Sequence, residues 1–270
     1  MAMIDDALIP PDSMIAENSG GIDRQAYIRT GEDIVRQAFI QHAGLKPHQK
    51  FLDVGCGCAK IARPLATYLG PAGEYHGIDI VEDCIAWCRS AYRHHPNFTF
   101  HLADLFSTRY NKAGISPAAR YRFPLPDNYI DVAFLGSVFT HLLPDEVRNY
   151  LAELERVMVP GGRVLATFFV LNDVSRANVD AGATAPAFPF PLQGAAGCRV
   201  QNADCPEAAI AYEESYVRKL YRDVGLQLDE LVYGQWGRER FIPHWQDAIW
   251  ASKSRTRARP TLRQLIKRLF

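Results

Sequence analysis

The run Phe51-Leu52-Asp53-Val54-Gly55-Cys56-Gly57-Cys58-Ala59-Lys60 holds the residue types best suited to chemistry. An apolar strand runs into a glycine turn and then toward a helix. Glycines at 55 and 57 let a ligand approach the backbone and permit positive φ. Amide groups at the start of the next helix then face that ligand. The carboxylate of Asp53 would repel a pyrophosphate but suits an ammonium group. A second acid, Asp79, closes the segment His76-Gly77-Ile78, about two dozen residues past the loop, where a carboxylate can accept from both ribose hydroxyls. A third lies in Ala103-Asp104-Leu105 and can accept an adenine exocyclic amine, with Leu105 and Ile80 flanking the ring. Each acid alone fits a loop or a helix cap. Three at the ends of consecutive strands converge on one ligand, because open α/β sheets bind ligands there. A dinucleotide fingerprint would want a third glycine at position 60, which is Lys60.

Among the histidines, His141 is the best candidate base. It follows the fourth strand by a few residues, and a histidine near its unperturbed pKa accepts a proton at neutral pH. His76 and His101 lie within strands and are expected to pack. Tyr110 and Asn111 sit in a proline-containing insertion beside the expected pocket mouth. Trp236, Arg238 and Arg240 precede the last strand. These aromatic and guanidinium groups suit a sugar or an anionic acceptor, or else pack loops. Phe188-Pro189-Phe190 is a candidate apolar cap. Cys56, Cys58, Cys84, Cys88, Cys198 and Cys205 do not read as a disulfide framework, which points to a reducing, cytoplasmic setting. Their CxC and CxxxC spacings are a weak match to zinc, and no metal is expected.

The elements that must position these residues alternate. Helical periodicity covers Glu32 to His42, with Thr30 as N-cap. A strand at Phe51–Val54, a helix at Ile61–Leu69, a strand at Tyr75–Ile80 and a helix at Glu82–Arg93 follow, then a strand at Phe98–Leu102. A proline-bearing insertion covers about 107–127. A strand at Tyr129–Leu135 leads to a helix at Pro144–Val157 with proline at its start. After the turn Pro160-Gly161-Gly162, Arg163 to Leu171 reads as a strand. Residues of about 172–206 are long for a bare loop and read as a lid. A helix at Glu213–Val224 and strands at Leu226–Tyr233 and Asp247–Ser252 complete the chain. The alternation implies an α/β fold with a parallel sheet and an antiparallel hairpin on one edge.

Composition sets outer bounds. At 270 residues with 48% apolar content, one large α/β domain is the natural size. Thirty basic and thirty acidic residues give a formal net charge of zero, which offers no track for nucleic acid. Residues 1–28 read as an N-terminal arm, 29–253 as the domain, and 254–270 as a basic tail. That tail is either a solvated end or a weak contact for an anionic surface. No stretch has the length of a membrane span, and no signal peptide is evident.

Taken together, LDVGCG at 52–57, GIDI at 77–80, ADL at 103–105, PDNYIDVAFLGSVFTHL at 126–142 and RVMVPGGRVLATFF at 156–169 resemble a class I S-adenosylmethionine-dependent methyltransferase from Arg29 through Lys253. The likeness is strongest to bacterial small-molecule or glycan O-methyltransferases with an SVFTH segment. One departure is Ala59, where that family commonly has a third glycine. The resemblance implies a Rossmann-like seven-stranded sheet of order 3-2-1-4-5-7-6, with strand 7 antiparallel. It implies that Asp53, Gly55, Cys56 and Gly57 hold the methionine end of S-adenosylmethionine. Asp79 and Ile80 would serve the ribose and adenine, with Asp104 and Leu105. Gly136 and Ser137 would line the sulfonium, and the product would be S-adenosylhomocysteine. The expected reaction is methyl transfer to a hydroxyl of a small-molecule or glycan acceptor, with His141 as general base, by a monomer or homodimer. The competing readings are a non-catalytic cofactor-binding scaffold, an N-methyltransferase and, disfavoured by Asp53, Lys60 and the RVMVPGG turn, a nicotinamide oxidoreductase.

Overall fold

The structure is a computed structural model that describes residues 6–237 and 245–255. Arg238, Arg240 and the tail from 256 onward lie outside the described residues. β1 (Lys50–Val54), β2 (Glu74–Asp79), β3 (Phe98–Leu102), β4 (Ile130–Leu135) and β5 (Met158–Phe168) run parallel in the main sheet. β10 (Leu226–Val232) and β11 (Asp247–Lys253) complete it, in the order 3-2-1-4-5-11-10. β11 is antiparallel to both its neighbours. This is the expected 3-2-1-4-5-7-6 arrangement, with β11 as the seventh strand and β10 as the sixth.

Both faces of the sheet are covered, so β1 is apolar on both sides. Phe51 packs with Val35, Phe39, Leu65 and Ile85, residues of the layer formed by α2 (Arg24–Ile34) and its continuation, α3 (Ala62–Tyr68) and α4 (Glu82–Ala91). Leu52 and Val54 face α5 (Pro144–Val157) and α7 (Glu214–Val224), against Val147, Leu151, Leu220 and Tyr221. In α5 the buried Val147, Tyr150, Leu151, Leu154 and Val157 form one helical stripe. The Glu146 carboxylate accepts from the Leu143 amide at 2.7 Å and ties down the helix start.

Three sequence expectations need correction. The first helix begins at Arg24, not near Glu32, with Asp23 capping the Ala26 amide at 2.7 Å. Thr30 lies inside it, and the helix continues as a π-helical stretch over Val35–His42. An earlier turn is favoured because Tyr27 and Ile28 are buried. Second, the described part of the N-terminal arm is folded onto the domain. It carries a helix, α1 (Asp12–Asn18), whose Ile15 joins Ile9, Tyr27 and Ile28 in a small core. Third, the strand read as ending at Leu171 leaves the main sheet after Phe168.

From there β6 (Val170–Leu171), β7 (Phe190–Pro191), β8 (Cys198–Val200) and β9 (Ile210–Glu213) form a second sheet of order β6-β9-β8-β7. The residues read as a lid thus contain a small sheet and a helix, α6 (Asp173–Asp180). Their core is Phe169, Leu171, Val179, Phe188 and Trp236. Phe188, expected to cap an acceptor, is part of that core. Trp236, expected beside a substrate, is also packed here at 1% exposure, edge-on to Phe169 and Phe188. A large indole gains more from complete burial than from an exposed rim position, provided its N–H finds a partner. Asp247 supplies that partner at 2.6 Å.

Asp247 joins the two sheets. Its carboxylate also accepts from the amides of Val170 at 2.5 Å and Gly234 at 2.7 Å, at 2% exposure. Replacing Asp247 by alanine strands three buried donors, which costs about 3 kcal/mol or more at roughly 1 to 3 kcal/mol each. Urea unfolding of Asp247→Ala is expected to show that loss, with Asp247→Asn losing less.

Candidate active site

The glycine loop is pinned at the carboxyl ends of β1 and β2. The Ile78 carbonyl accepts from both the Gly55 amide (2.7 Å) and the Cys56 amide (3.1 Å). The chain then turns with positive φ at Gly55 (+73°), Gly57 (+49°) and Ala59 (+65°). A Cβ on Gly55 would sit 2.5 Å from the Val138 side chain, so the segment after β4 closes directly on this glycine. Ala59 takes the left-handed conformation that glycine holds more cheaply, at a cost of about 1 kcal/mol. Its methyl is fully buried, which offsets part of that cost. Alanine thus takes the positive-φ conformation at this position. Tyr27 donates its hydroxyl to the Cys58 carbonyl at 2.5 Å, and α1 ends with the Asn18 carbonyl 3.8 Å from where a Gly57 Cβ would lie. The N-terminal segment thus packs over the loop.

Asp79 reaches back to the same loop. Its carboxylate accepts from the Gly57 amide at 2.7 Å and from the Val81 amide at 2.9 Å. Burial raises its pKa, opposed by these backbone donors. Asp53 sits lower. It is 2% exposed and accepts from the Tyr75 hydroxyl at 2.7 Å. Burial pushes its carboxyl up to about 7, with Asp79 adding and Tyr75 and Lys60 opposing. Asp53 is therefore held by Tyr75 and is not presented to solvent. Cys56 is also buried. Its sulfur lies 2.9 Å from where a Gly77 Cβ would be, which explains glycine at 77.

At the end of β3, Asp104 is exposed, as expected for a ligand-facing acid. Leu105 is not beside it: its side chain is in the main core at 2% exposure and Ser116 pairs with its backbone. Strand alternation sends neighbouring residues to opposite sides. The apolar residues exposed at this end are Leu102 and Phe106, with Ile80 partly buried. After β4, Gly136 is half-buried, and Ser137 is exposed with φ of +59°. Ser137 belongs to a polar triad that sequence reading missed. Its amide donates to Thr167 Oγ1 at 2.7 Å, and both hydroxyls reach Gln246 Oε1, at 2.6 Å from Thr167 and 3.0 Å from Ser137.

His141 ends a short 3-10 turn, Phe139–His141. Its Nδ1 lies 3.0 Å from the Glu207 carbonyl, an acceptor only, so Nδ1 carries the proton. Nε2 is then the free basic nitrogen, 3.3 Å from the Tyr110 hydroxyl, which donates to it. The two rings meet edge-to-face at 5.5 Å. Burial lowers the His141 pKa, and the Arg109 charge adds to that. Tyr110 is 44% exposed and sits under the Arg109 guanidinium. Asn111 closes the same turn through backbone bonds with Ser107. The structure thus joins Tyr110 to His141 and separates Trp236 from both. Among the described residues no group of three or more His, Cys, Asp or Glu side chains could hold a metal. Cys58 and Cys84 bring their sulfurs to 2.9 Å as free thiols.

The residues present suit a cationic nucleoside. An exposed glycine, backbone amides and the acids Asp79 and Asp104 gather at three adjacent strand ends, and the nearby Lys60 is balanced by Asp53. Fold and loop together resemble those of class I methyltransferases, a class whose cofactor is S-adenosylmethionine. Residues 52–166 match a methyltransferase-domain family. Ubiquinone/menaquinone biosynthesis C-methyltransferase UbiE from Cupriavidus metallidurans is 29% identical over 133 residues, 48% of this chain and 47% of that protein. The chain thus aligns with about half the length of these curated relatives. A methyltransferase from Methanosarcina mazei shares the fold at TM-score 0.54 and 21% identity, over 80% of this chain and 97% of that one. So does 1,6-didemethyltoxoflavin-N1-methyltransferase from Burkholderia thailandensis, solved with S-adenosylhomocysteine, at 0.53 and 16%, over 85% and 79%. The [4+2]-cyclase SpnF has the same fold at 0.56 and 15%, over 92% and 93%.

A buried acid whose folded pKa lies above its unfolded value binds more protons when folded, so stability falls as pH rises between the two values. For Asp53 that window runs from 3.8 to about 7. Asp53→Asn is expected to flatten the fall in unfolding free energy between pH 4 and 7, measured by urea titration. A profile with unchanged slope would show that Asp53 is ionised at ordinary cost.

Proposed function

We propose that this protein transfers a methyl group from S-adenosylmethionine to a hydroxyl of a small-molecule or glycan acceptor, with His141 as general base. The observation that carries this reading is the fixed tautomer of His141, which leaves a neutral basic nitrogen at the end of β4 beside the cofactor loop. Bound S-adenosylmethionine supplies a methyl group on a sulfonium leaving group. The chain's own residues bind and align. Gly55 and Gly57 let the backbone approach the methionine end, with Asp53 and Cys56 supporting the loop from inside. Asp79 takes the ribose, with Ile80 alongside, and Asp104 takes the adenine amine. Gly136 and Ser137 line the reacting side, where Thr167 and Gln246 hold Ser137 in its left-handed conformation. The acceptor hydroxyl takes the place of the Tyr110 hydroxyl at His141 Nε2 and gives up its proton there. The second insertion, with its small sheet, covers this end and excludes water.

A second reading is favoured by the names of the UbiE relatives, which describe C-methylation in quinone biosynthesis. The same base then removes a proton from an aromatic acceptor that reacts through carbon. Methyl uptake from labelled S-adenosylmethionine separates the two, with glycans, phenols and quinols offered as acceptors and the product bond identified by mass spectrometry and NMR. A carbon–methyl product would overturn the hydroxyl reading and leave His141 as base.

Two outcomes are expected. His141→Ala lowers turnover by about 10²- to 10⁴-fold, the usual worth of a positioned base, and leaves S-adenosylhomocysteine affinity unchanged in calorimetry. Because the neutral imidazole is the active form, the wild-type rate falls on an acid limb below 6.5, the ordinary histidine value, from which burial displaces His141 downward. Equal loss of cofactor affinity in His141→Ala would overturn its assignment as base.

A further inference from the structure

Two loops far apart in the chain meet at His141, and one residue joins them. Glu207 is buried at 8% exposure in the short turn Pro206–Ala208. Its carbonyl receives Nδ1–H of His141. Its carboxylate accepts from the Thr108 amide at 2.7 Å and from the Thr108 hydroxyl. Arg109 adds a bond of 3.1 Å to the Ala208 carbonyl, and its guanidinium covers the Tyr110 ring. Thr108, Arg109 and Tyr110 belong to the first insertion, and Glu207 and Ala208 follow the second.

We infer that Glu207 is a positioning residue for His141: its main chain sets the imidazole tautomer while its carboxylate holds the loop that places Tyr110 at Nε2. This rests on the reading of His141 as base. One residue then governs both nitrogens of the ring, from opposite sides. A charged carboxylate is suited to the task because bonds to it are stronger than those to a neutral acceptor. Without the Glu207 carboxylate the 205–208 turn would keep only the Arg109–Ala208 bond and the Thr108–Cys205 contact to the first insertion, the carbonyl would shift at Nδ1, and both tautomers would be populated. Tyr110 would leave Nε2 at the same time, since its loop hangs on the same carboxylate.

The role can be told apart from an electrostatic one by the sign of a titration. The charged or titratable groups facing His141 are Glu207, Arg109 and Tyr110; Glu146 on α5 is turned onto the Leu143 amide. Burial is the largest influence on His141 and lowers its pKa, whereas the Glu207 charge raises it. Loss of charge alone would therefore lower the His141 pKa further. Loss of position would let water in and raise it toward 6.5.

The test is ¹⁵N-histidine NMR of the full chain across pH, with His141 assigned from the spectrum of His141→Gln. Wild type is expected as the Nδ1–H tautomer. Glu207→Ala is expected to show mixed tautomers and a raised His141 pKa. Glu207→Gln keeps one acceptor oxygen for Thr108 without the charge, and is expected to retain the wild-type tautomer. Thr108→Val removes the hydroxyl partner and is expected to move His141 in the same direction as Glu207→Ala, by a smaller amount; it decides the matter if Glu207→Ala does not fold. A lowered pKa with an unchanged tautomer in Glu207→Ala, or no change in Thr108→Val, would overturn the inference. Calorimetry with S-adenosylhomocysteine runs beside it. Unchanged affinity in the Glu207 variants supports a role confined to the base. Failure of wild type to bind would count against the methyltransferase reading, and the NMR result would still decide the role of Glu207.

Discussion

The Ile78 carbonyl, accepting at once from the Gly55 and Cys56 amides, fixes the point on which the site depends. A strand cannot offer two successive amides to one acceptor without turning sharply, and the turn here demands positive φ at Gly55, Gly57 and Ala59. Parallel pairing of β1 with β2 and β4 puts that turn at the carboxyl edge of the sheet, beside the ends of both neighbours. Everything chemical then gathers on one edge. Asp79 comes from β2, Asp104 from the end of β3, Ser137 and His141 from the segment after β4, and Thr167 from β5.

Charge on this edge is arranged in depth. Asp53 and Lys60 lie near each other, where burial weakens the ionised form of each and their mutual attraction restores part of it. Asp79 is buried as well and is held by two backbone amides. Asp104 lies at the surface. A cation approaching from solvent meets Asp104 first. The His141 side differs: an imidazole and a phenol lie beside the Arg109 guanidinium and a buried carboxylate that accepts from Thr108. The acids at the ends of β2 and β3 and the imidazole after β4 thus occupy separate electrostatic environments on one edge of the sheet.

Much of the sheet was legible because periodicity and punctuation agree with it. Pro144 to Val157 reads as a helix and is one, and Phe98 to Leu102 is the observed third strand. Strand ends carrying glycine or aspartate read from the sequence coincide with the observed ends of β1, β2 and β3. The misreadings share a cause, which is that local pattern cannot see tertiary partners. Thr30 looks like a cap only if the burial of Tyr27 and Ile28 is unknown. Trp236 looks like a substrate contact until Asp247 is seen to satisfy its N–H. Leu105 follows an exposed acid yet points to the core, as alternation along an extended chain requires. Glu207 carried no signal at all: its partners Thr108 and His141 are 99 and 66 positions away, and only the fold makes them neighbours.

The most direct measurement of the central claim is calorimetric titration of the full chain with S-adenosylhomocysteine, with NADH as a control and Asp79→Ala as the comparison. The account predicts binding of S-adenosylhomocysteine alone, weakened about 10- to 100-fold in Asp79→Ala, as expected for loss of a hydrogen bond to a charged group worth roughly 1.5 to 3 kcal/mol. Binding of neither ligand, or of NADH in preference, would contradict it.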